Sequence, residues 1–90
     1  MTRKLKRKLS VKWMNVPFAG PDLFYLVIGS MCWGKGADLN TAVDNCRKAS
    51  CNEWHPEKNR ALVYEIEASG YVSDDGCIVG NEQRKLAEII

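Results

Sequence analysis

A short apolar run, followed by glycines and an amphipathic segment, constrains the fold of this chain more than any other feature. The run covers residues 23–29, which is long enough for a buried strand and far too short to cross a membrane. Asp38 precedes the amphipathic segment as a typical helix N-cap. Four apolar residues then recur at the i, i+3, i+4, i+7 spacing of one helix face: Leu39, Ala42, Val43 and Cys46. The sequence therefore predicts a strand, a turn and a helix as the central unit.

The length and composition indicate one globular domain with a basic N-terminal arm. Ninety residues are too few for two hydrophobic cores, and 46% hydrophobic residues is typical of a folded protein. The first twelve residues hold six bases and no acid, whereas the rest of the chain holds seven bases and eleven acids. We therefore expect a basic arm or edge strand at residues 1–12 and a single domain at residues 13–90. The bases of the arm are Arg3, Lys4, Lys6, Arg7, Lys8 and Lys12.

The arm has the residue pattern of a strand. Apolar and basic residues nearly alternate over residues 4–13, and a lysine-rich side suits a sheet edge, where lysines discourage pairing with other chains. A helix through Leu5, Leu9 and Lys12 is a weaker alternative. We therefore expect an edge strand, followed by a loop that contains two prolines.

Residues 60–68 also alternate and predict a second strand. Val63, Glu65 and Glu67 share one side of it, which we expect to face away from the helix. The side expected to face the helix comprises Leu62, Tyr64, Ile66 and Ala68.

Two turn signals beyond this strand predict a hairpin formed by residues 71–73 and 77–79. Asn81 is a candidate N-cap for a short C-terminal helix that buries Leu86 and Ile89. The elements together predict an α+β fold, with a small antiparallel sheet of three to four strands and one main helix packed on one face.

Residues 29–36, GSMCWGKG, match the G-x-x-x-x-G-K pattern of a phosphate-binding loop between a strand and a helix. The Ser or Thr that should follow and hold magnesium is replaced by Gly36, and Met31 and Trp33 fill a loop that should expose bare amides. We therefore expect a turn that leads into the helix, not a nucleotide-hydrolysing site. Weak anion binding by Lys35 is an alternative.

The four cysteines suit a reduced, cytoplasmic protein, because no apolar signal-peptide segment follows the basic N-terminus. Cys46, Cys51 and His55, with Cys32 or Cys77 as a fourth ligand, offer a zinc site as an alternative. Its spacing is irregular, and it lacks a Cys-x-x-Cys pair. A catalytic Cys–His pair has no further support. We therefore expect no metal, no cofactor and no enzymatic activity.

Acidic and aromatic residues indicate a protein-binding surface. A tryptophan flanked by carboxylates suits an interface anchor with a polar rim, and would fit a basic, nucleic-acid-handling partner. The predicted partner-binding residues are Trp33, Trp54, Glu65, Glu67, Asp74 and Asp75. One alternative is that Trp54 packs against its own sheet. Another is that the basic arm binds nucleic acid by neutralising phosphates.

The strand and the segment GADLNTAV at residues 36–43 resemble the strand-turn-helix opening of HicB-type antitoxin domains, where a glycine and a small polar residue also introduce a leucine-alanine helix. The DNA-binding tail often seen in that family is absent from this sequence. By size and compactness the chain also resembles the accessory proteins of phages and plasmids, anti-CRISPR inhibitors among them. That resemblance implies a small inhibitor that occludes a surface of a host defence complex without catalysis.

Overall fold

The computed structural model describes residues 9–51 and 53–90 and shows an α+β fold built on a four-stranded antiparallel sheet. The elements are α1 (Val11–Met14), β1 (Phe24–Gly29), β2 (Cys32–Gly36), α2 (Leu39–Ala49), β3 (Ala61–Ile66), β4 (Tyr71–Val72), β5 (Ile78–Val79) and β6 (Gln83–Ile89). The sheet has the order β2-β1-β3-β6, and β4 pairs with β5 in a separate hairpin. One principal helix, α2, packs on one face of the sheet. The predicted fold class is therefore confirmed.

The glycine-containing segment after β1 is a strand, where the sequence predicted a turn into the helix. β1 reverses at Ser30 and Met31, and β2 then runs back beside it, with Gly29 opposite Cys32 and Tyr25 opposite Gly36. Residues 29–36 therefore form a hairpin and do not wrap around a phosphate site. The pattern was misinterpreted because glycines are typical of turns, whereas here they lie in a strand under a helix.

Helix α2 lies directly on two glycines of β2. A Cβ atom at Gly34 would be 2.5 Å from the carbonyl oxygen of Ala42, and one at Gly36 would be 2.7 Å from the amide nitrogen of the same residue. Only a missing side chain permits this approach. The helix begins where the sequence predicts, because Asp38 Oδ1 accepts a hydrogen bond of 2.8 Å from the amide of Thr41.

Tight packing fills the space between the sheet and α2. Trp13 and Trp54 meet edge to face in this core, with ring centroids 6.2 Å apart. Trp13 Nε1 donates to the carbonyl of Pro56 at 2.8 Å, and Trp54 Nε1 donates to the carbonyl of Arg60 at 3.1 Å. The two indoles therefore attach the connection between α2 and β3 to the core. Other buried members are Tyr25, Val27, Ala42, Val43, Cys46, Ala61, Val63 and Ile89.

The N-terminal edge strand predicted over residues 4–13 is wrong in its described part, and residues 4–8 lie outside the described residues. Val11–Met14 form one helical turn, in which the amides of Trp13 and Met14 share the carbonyl of Ser10. The helical turn places the indole of Trp13 in the core, where it is fully buried. Burial of this side chain therefore favours the helical turn over a strand.

The side assignment of β3 is also wrong. Val63 lies opposite Val27 and Glu65 opposite Tyr25, so these residues share the helix-covered face. Leu62, Tyr64 and Ile66 lie on the other face, and the exposed Ala68 follows the end of the strand. Alternation fixes which residues share a face but not which face is covered. The strand also carries the polar Glu65 towards the core side, against the usual preference.

The predicted C-terminal helix is wrong, because residues 83–89 form the edge strand β6. Its residues include good helix formers, but β3 offers an unpaired edge, and the hydrogen bonds along that edge outweigh local preference. The register shifts between Val63 and Tyr64, which leaves Leu86 as an extra residue and marks a β-bulge in β6. Because of this bulge, Arg84, which lies opposite Glu65, shares the core side with Ala87 and Ile89.

Candidate protein-binding groove

A groove of about 500 Å³ separates the β1–β2 turn from the β4–β5 turn. Apolar side chains of β1, β2 and the turn between them line one wall, among them Ile28, Met31 and Trp33. The β4–β5 turn forms the other wall with Asp74 and Asp75. We call this site the turn–hairpin groove. It lies on the sheet face opposite α2.

The acidic wall of the groove is an ordered turn. The amide of Ser73 donates to the carbonyl of Cys77 at 2.8 Å, and the amide of Gly76 donates to the carbonyl of Ser73 at 2.9 Å. Gly76 has a φ of 90°, a conformation that favours glycine. The hydroxyl of Ser73 donates to Asp75 Oδ1. That hydrogen bond, helped by the backbone of Cys77, lowers the pKa of the Asp75 carboxyl. Asp75 therefore presents a negative charge to the groove at neutral pH.

Met31 stands at the tip of the apolar wall. Its side chain is 100% exposed, and its φ of 61° places it in the left-handed region, where non-glycine residues are uncommon. A fully exposed methionine beside a groove is a feature of adaptable binding surfaces. The sequence pattern does not indicate this role for Met31, because the position of this residue at a hairpin tip depends on β2.

The groove unites three of the six predicted partner-binding residues, namely Trp33, Asp74 and Asp75. Trp54 is only 2% exposed and packs against its own sheet, as the alternative interpretation of this tryptophan predicts. Glu65 is 7% exposed on the helix-covered face, so the expectation that it faces away from the helix is wrong. Glu67 is half-buried, and its carboxylate accepts a hydrogen bond from the hydroxyl of Ser69.

The buried Glu65 has a structural environment. Arg84 Nε donates to its Oε2 at 2.8 Å, and the amide of Gly20 donates to its Oε1 at 2.9 Å. The hydrogen bond from Arg84, followed by that from Gly20, lowers the pKa of this carboxyl. Glu65 therefore joins β6 and the loop before β1 to β3, and its carboxylate is occupied.

Five of the six predicted nucleic-acid-binding residues fall outside the described part of the chain. Arg3, Lys4, Lys6, Arg7 and Lys8 lie outside the described residues. Lys12 is exposed on α1, and its Nζ donates to the carbonyl of Ile90 at 3.1 Å. The part of the arm that is described therefore contributes one cation, which contacts the C-terminal end of the chain.

Of the alternative zinc ligands, Cys32 and Cys46 lie together in the core, with Sγ atoms 3.3 Å apart. Cys46 is buried in the core, whereas Cys51, His55 and Cys77 are exposed. Among residues 9–51 and 53–90, no three His, Cys, Asp or Glu side chains converge as metal ligands would. Lys35, the candidate anion ligand, instead donates from its Nζ to the carbonyls of Ala68 and Gly70.

Comparisons with known proteins found no relative: no family model, no curated protein and no solved structure matches the chain. In the part of the chain that the structure describes, no helix has both the length and the apolar character required to span a membrane.

Proposed function

We propose that this protein is a non-enzymatic protein-interaction module that binds its partner through the turn–hairpin groove. The observation that carries the proposal is the fully exposed Met31 at the tip of the groove. An exposed apolar side chain is stabilised when a partner removes it from water, at roughly 25 cal/mol for each Å² of apolar area. The tight turn between β1 and β2 accounts for the left-handed backbone of Met31, but nothing in the described part of the chain covers its side chain.

The lining of the groove indicates the chemistry of the partner. Ile28, Met31 and Trp33 offer an apolar wall with an aromatic ring, while Asp74 and Asp75 offer a negative rim. Met and aromatic residues are enriched in the centres of interfaces, and complementary charges at the rim increase the association rate. The partner segment should therefore present an apolar side chain next to Lys or Arg.

We extend this proposal to the biological role implied by the resemblance to phage and mobile-element proteins. A basic partner surface is typical of complexes that handle nucleic acid, because such surfaces neutralise phosphates. A small protein that docks an acidic groove there would occlude the surface without any catalytic step. The proposed role is therefore that of an inhibitor of a host defence complex, acting by occlusion.

The test compares groove variants against a partner captured from host lysate and then purified. Met31→Asp places a charge at the proposed centre and should weaken binding at least about tenfold, as expected for a residue central to an interface. Asp74→Asn with Asp75→Asn should reduce the association rate and its salt dependence. Because Met31 is fully exposed, folding should be intact, which circular dichroism would verify.

Phe18→Ser serves as the matched control, because Phe18 is also exposed and apolar but lies outside the groove. Its affinity should equal that of the wild type. Equal affinities of the Met31 variant, the double Asp variant and the wild type would refute the groove as the docking site. Binding to single-stranded nucleic acid that is lost on removal of residues 1–8, with the groove variants unaffected, would favour the alternative function of the basic arm.

A further inference from the structure

Two thiols meet inside the core at the contact between β2 and α2. The Sγ atoms of Cys32 and Cys46 are 3.3 Å apart, and both cysteines are free. Cys32 is 8% exposed at the start of β2, and Cys46 is fully buried on the inner face of α2. The other two cysteines, Cys51 and Cys77, are exposed.

The close packing of strand and helix holds the two sulfurs together. Gly34 lies beneath the backbone of α2 at Ala42 and Cys46, and Cys32 precedes it by two residues on the same side of β2. The sulfurs would need to approach by only about 1.3 Å to reach the S–S bond length of about 2.05 Å. A movement of that size lies within the range of side-chain rotation and small backbone shifts.

We propose that Cys32 and Cys46 form a modification site, an oxidisable dithiol that a hydroperoxide converts to an intramolecular disulfide. The proposal stands on the position of the two sulfurs and is independent of the turn–hairpin groove.

The chemistry proceeds in two steps. The Cys32 thiolate attacks the terminal oxygen of the hydroperoxide, so an S–O bond forms, the O–O bond breaks, and water or an alcohol leaves. The Cys46 sulfur then attacks the sulfenic sulfur of Cys32, which forms the S–S bond and releases water. Two thiols are oxidised by two electrons in total and one peroxide is reduced. Cys32 is the attacking residue because it is the more exposed of the two.

The resting protein resists this oxidation. Burial, together with the contact with Cys32, raises the pKa of the Cys46 thiol far above its ordinary value, so the thiol stays protonated. Reaction therefore requires a transient opening of the contact between β2 and α2. In a cell that keeps thiols reduced, the pair remains a dithiol until peroxide rises.

The disulfide would fix the helix to the strand. Its two cysteines are 14 positions apart, so the bond closes a short loop and restricts the unfolded chain. A loop of this length should raise the Tm of the oxidised protein by roughly 12–24 °C if the bond forms without strain.

The experiment treats the full chain carrying Cys51→Ser and Cys77→Ser with hydrogen peroxide. The two exposed thiols are thereby removed as competitors. We expect a mass loss of two hydrogens, a peptide linking residue 32 to residue 46 after proteolysis, and an increase in Tm that dithiothreitol reverses. A matched variant that also carries Cys46→Ala should instead accumulate the sulfenic acid of Cys32, which dimedone traps.

Two results would overturn the proposal. In the first, both thiols remain alkylatable after peroxide treatment and denaturation, although the protein is folded by circular dichroism. In the second, oxidation yields only higher oxides or intermolecular disulfides. If the Cys46→Ala variant does not fold, a peptide map of the peroxide-treated wild-type protein tests for the same disulfide between Cys32 and Cys46. A linkage of Cys51 to Cys77 alone in that map would also refute the proposal.

Discussion

Helix α2 and the β4–β5 hairpin cover opposite faces of the same sheet, but they are held there by different interactions. The helix rests backbone to backbone on Gly34 and Gly36, over a core that contains two buried indoles. The hairpin contacts the sheet through Ile66, whose side chain lies against Gly70 and Gly80 at the two ends of the hairpin. The carbonyl of Gly70 also accepts a hydrogen bond from Lys35 Nζ on β2.

This difference separates stability from surface chemistry. The helix-covered face fixes the fold, because almost every side chain there is buried. The hairpin-covered face keeps Ile28 and Trp33 only half-buried and leaves Met31 exposed at its border. The sheet face under the hairpin is less completely covered, and it is therefore the face that can present a binding surface.

The largest effect should come from Gly34→Ala. The added methyl would overlap the backbone of α2, which cannot move aside as a flexible side chain can. We expect a loss of about 4 kcal/mol or more in the free energy of unfolding, close to the whole stability of a small domain. Gly20→Ala is the control, since the atoms nearest to its Cβ would belong to side chains, Leu23 Cδ1 at 3.2 Å and Glu65 Oε1 at 3.6 Å. Urea denaturation measures both, and equal stabilities would show that the helix does not rest on β2.

A smaller and more local effect should follow Ile66→Ala. Ile66 is fully buried under the hairpin, and its truncation should cost about 3 kcal/mol. Because the hairpin has few other attachments, its amides at Tyr71 and Val79 should lose protection against hydrogen exchange more than the amides of α2 do. If protection falls equally in both elements, the hairpin and α2 unfold as one cooperative unit, and the proposed difference between the two sheet faces is refuted.

These two substitutions also show what the sequence could predict. The period of Leu39 to Cys46 and the capping aspartate were sufficient for α2, because both signals are local. In the sequence, the glycines of β2 indicate a turn, because glycine is typical of turns. Their position in a strand is explained only by α2, which packs directly on them. Residues 83–89 were assigned to a helix for a related reason: their strand exists only because β3 has an open edge.

The candidate site was predictable to a similar degree. The turn signal at Asp74 and Asp75 was local and correct, whereas the exposure of Trp54 and Glu65 was not. Burial of Trp54 depends on Gly29, where a Cβ would lie 2.6 Å from the indole nitrogen. Burial of Glu65 depends on Arg84, which is 19 residues away. No local pattern contains such pairings.

A pH-dependent effect tests the polar border of the helix-covered face. Glu65 has a pKa lowered from the ordinary value of 4.5, so its ionised form is favoured by folding. Its contribution is therefore complete above about pH 4.5 and is lost as the pH falls through the lower pKa of the folded state. Glu65→Gln should reduce stability by about 1.5 kcal/mol at pH 7, allowing for the exposure of Arg84.

The difference between Glu65→Gln and the wild type should shrink steadily as the pH is lowered below about 4.5. Thermal unfolding between pH 3 and pH 7, on the order of one pH unit per step, measures it. Glu67→Gln is the matched control on the same segment, and we expect little change. A difference that is constant across this range would show that the charge on Glu65 does not contribute.

The smallest effect should come from the cap of α2. Asp38→Ala removes the acceptor for the amide of Thr41 and should cost about 1 kcal/mol. Asp44→Ala, on the same helix, breaks a partly buried ion pair with Arg47, three residues away, and should cost about 0.5 kcal/mol. Chemical denaturation of both variants measures the difference. Equal losses would show that the cap does not anchor the start of the helix beside β2.

The hydrogen bonds of the N-terminal segment have a consequence for the order in which the chain folds. The bond from Trp13 to Pro56 joins residues 43 positions apart, and the bond from Ser10 to Glu57 joins residues 47 positions apart. Both require the connection between α2 and β3 to be in place first. Trp13 should therefore dock after the rate-limiting step, so that Trp13→Phe accelerates unfolding and leaves the refolding rate in stopped-flow experiments almost unchanged. A segment that is synthesised before the rest of this domain would then be the last part of it to reach its native position.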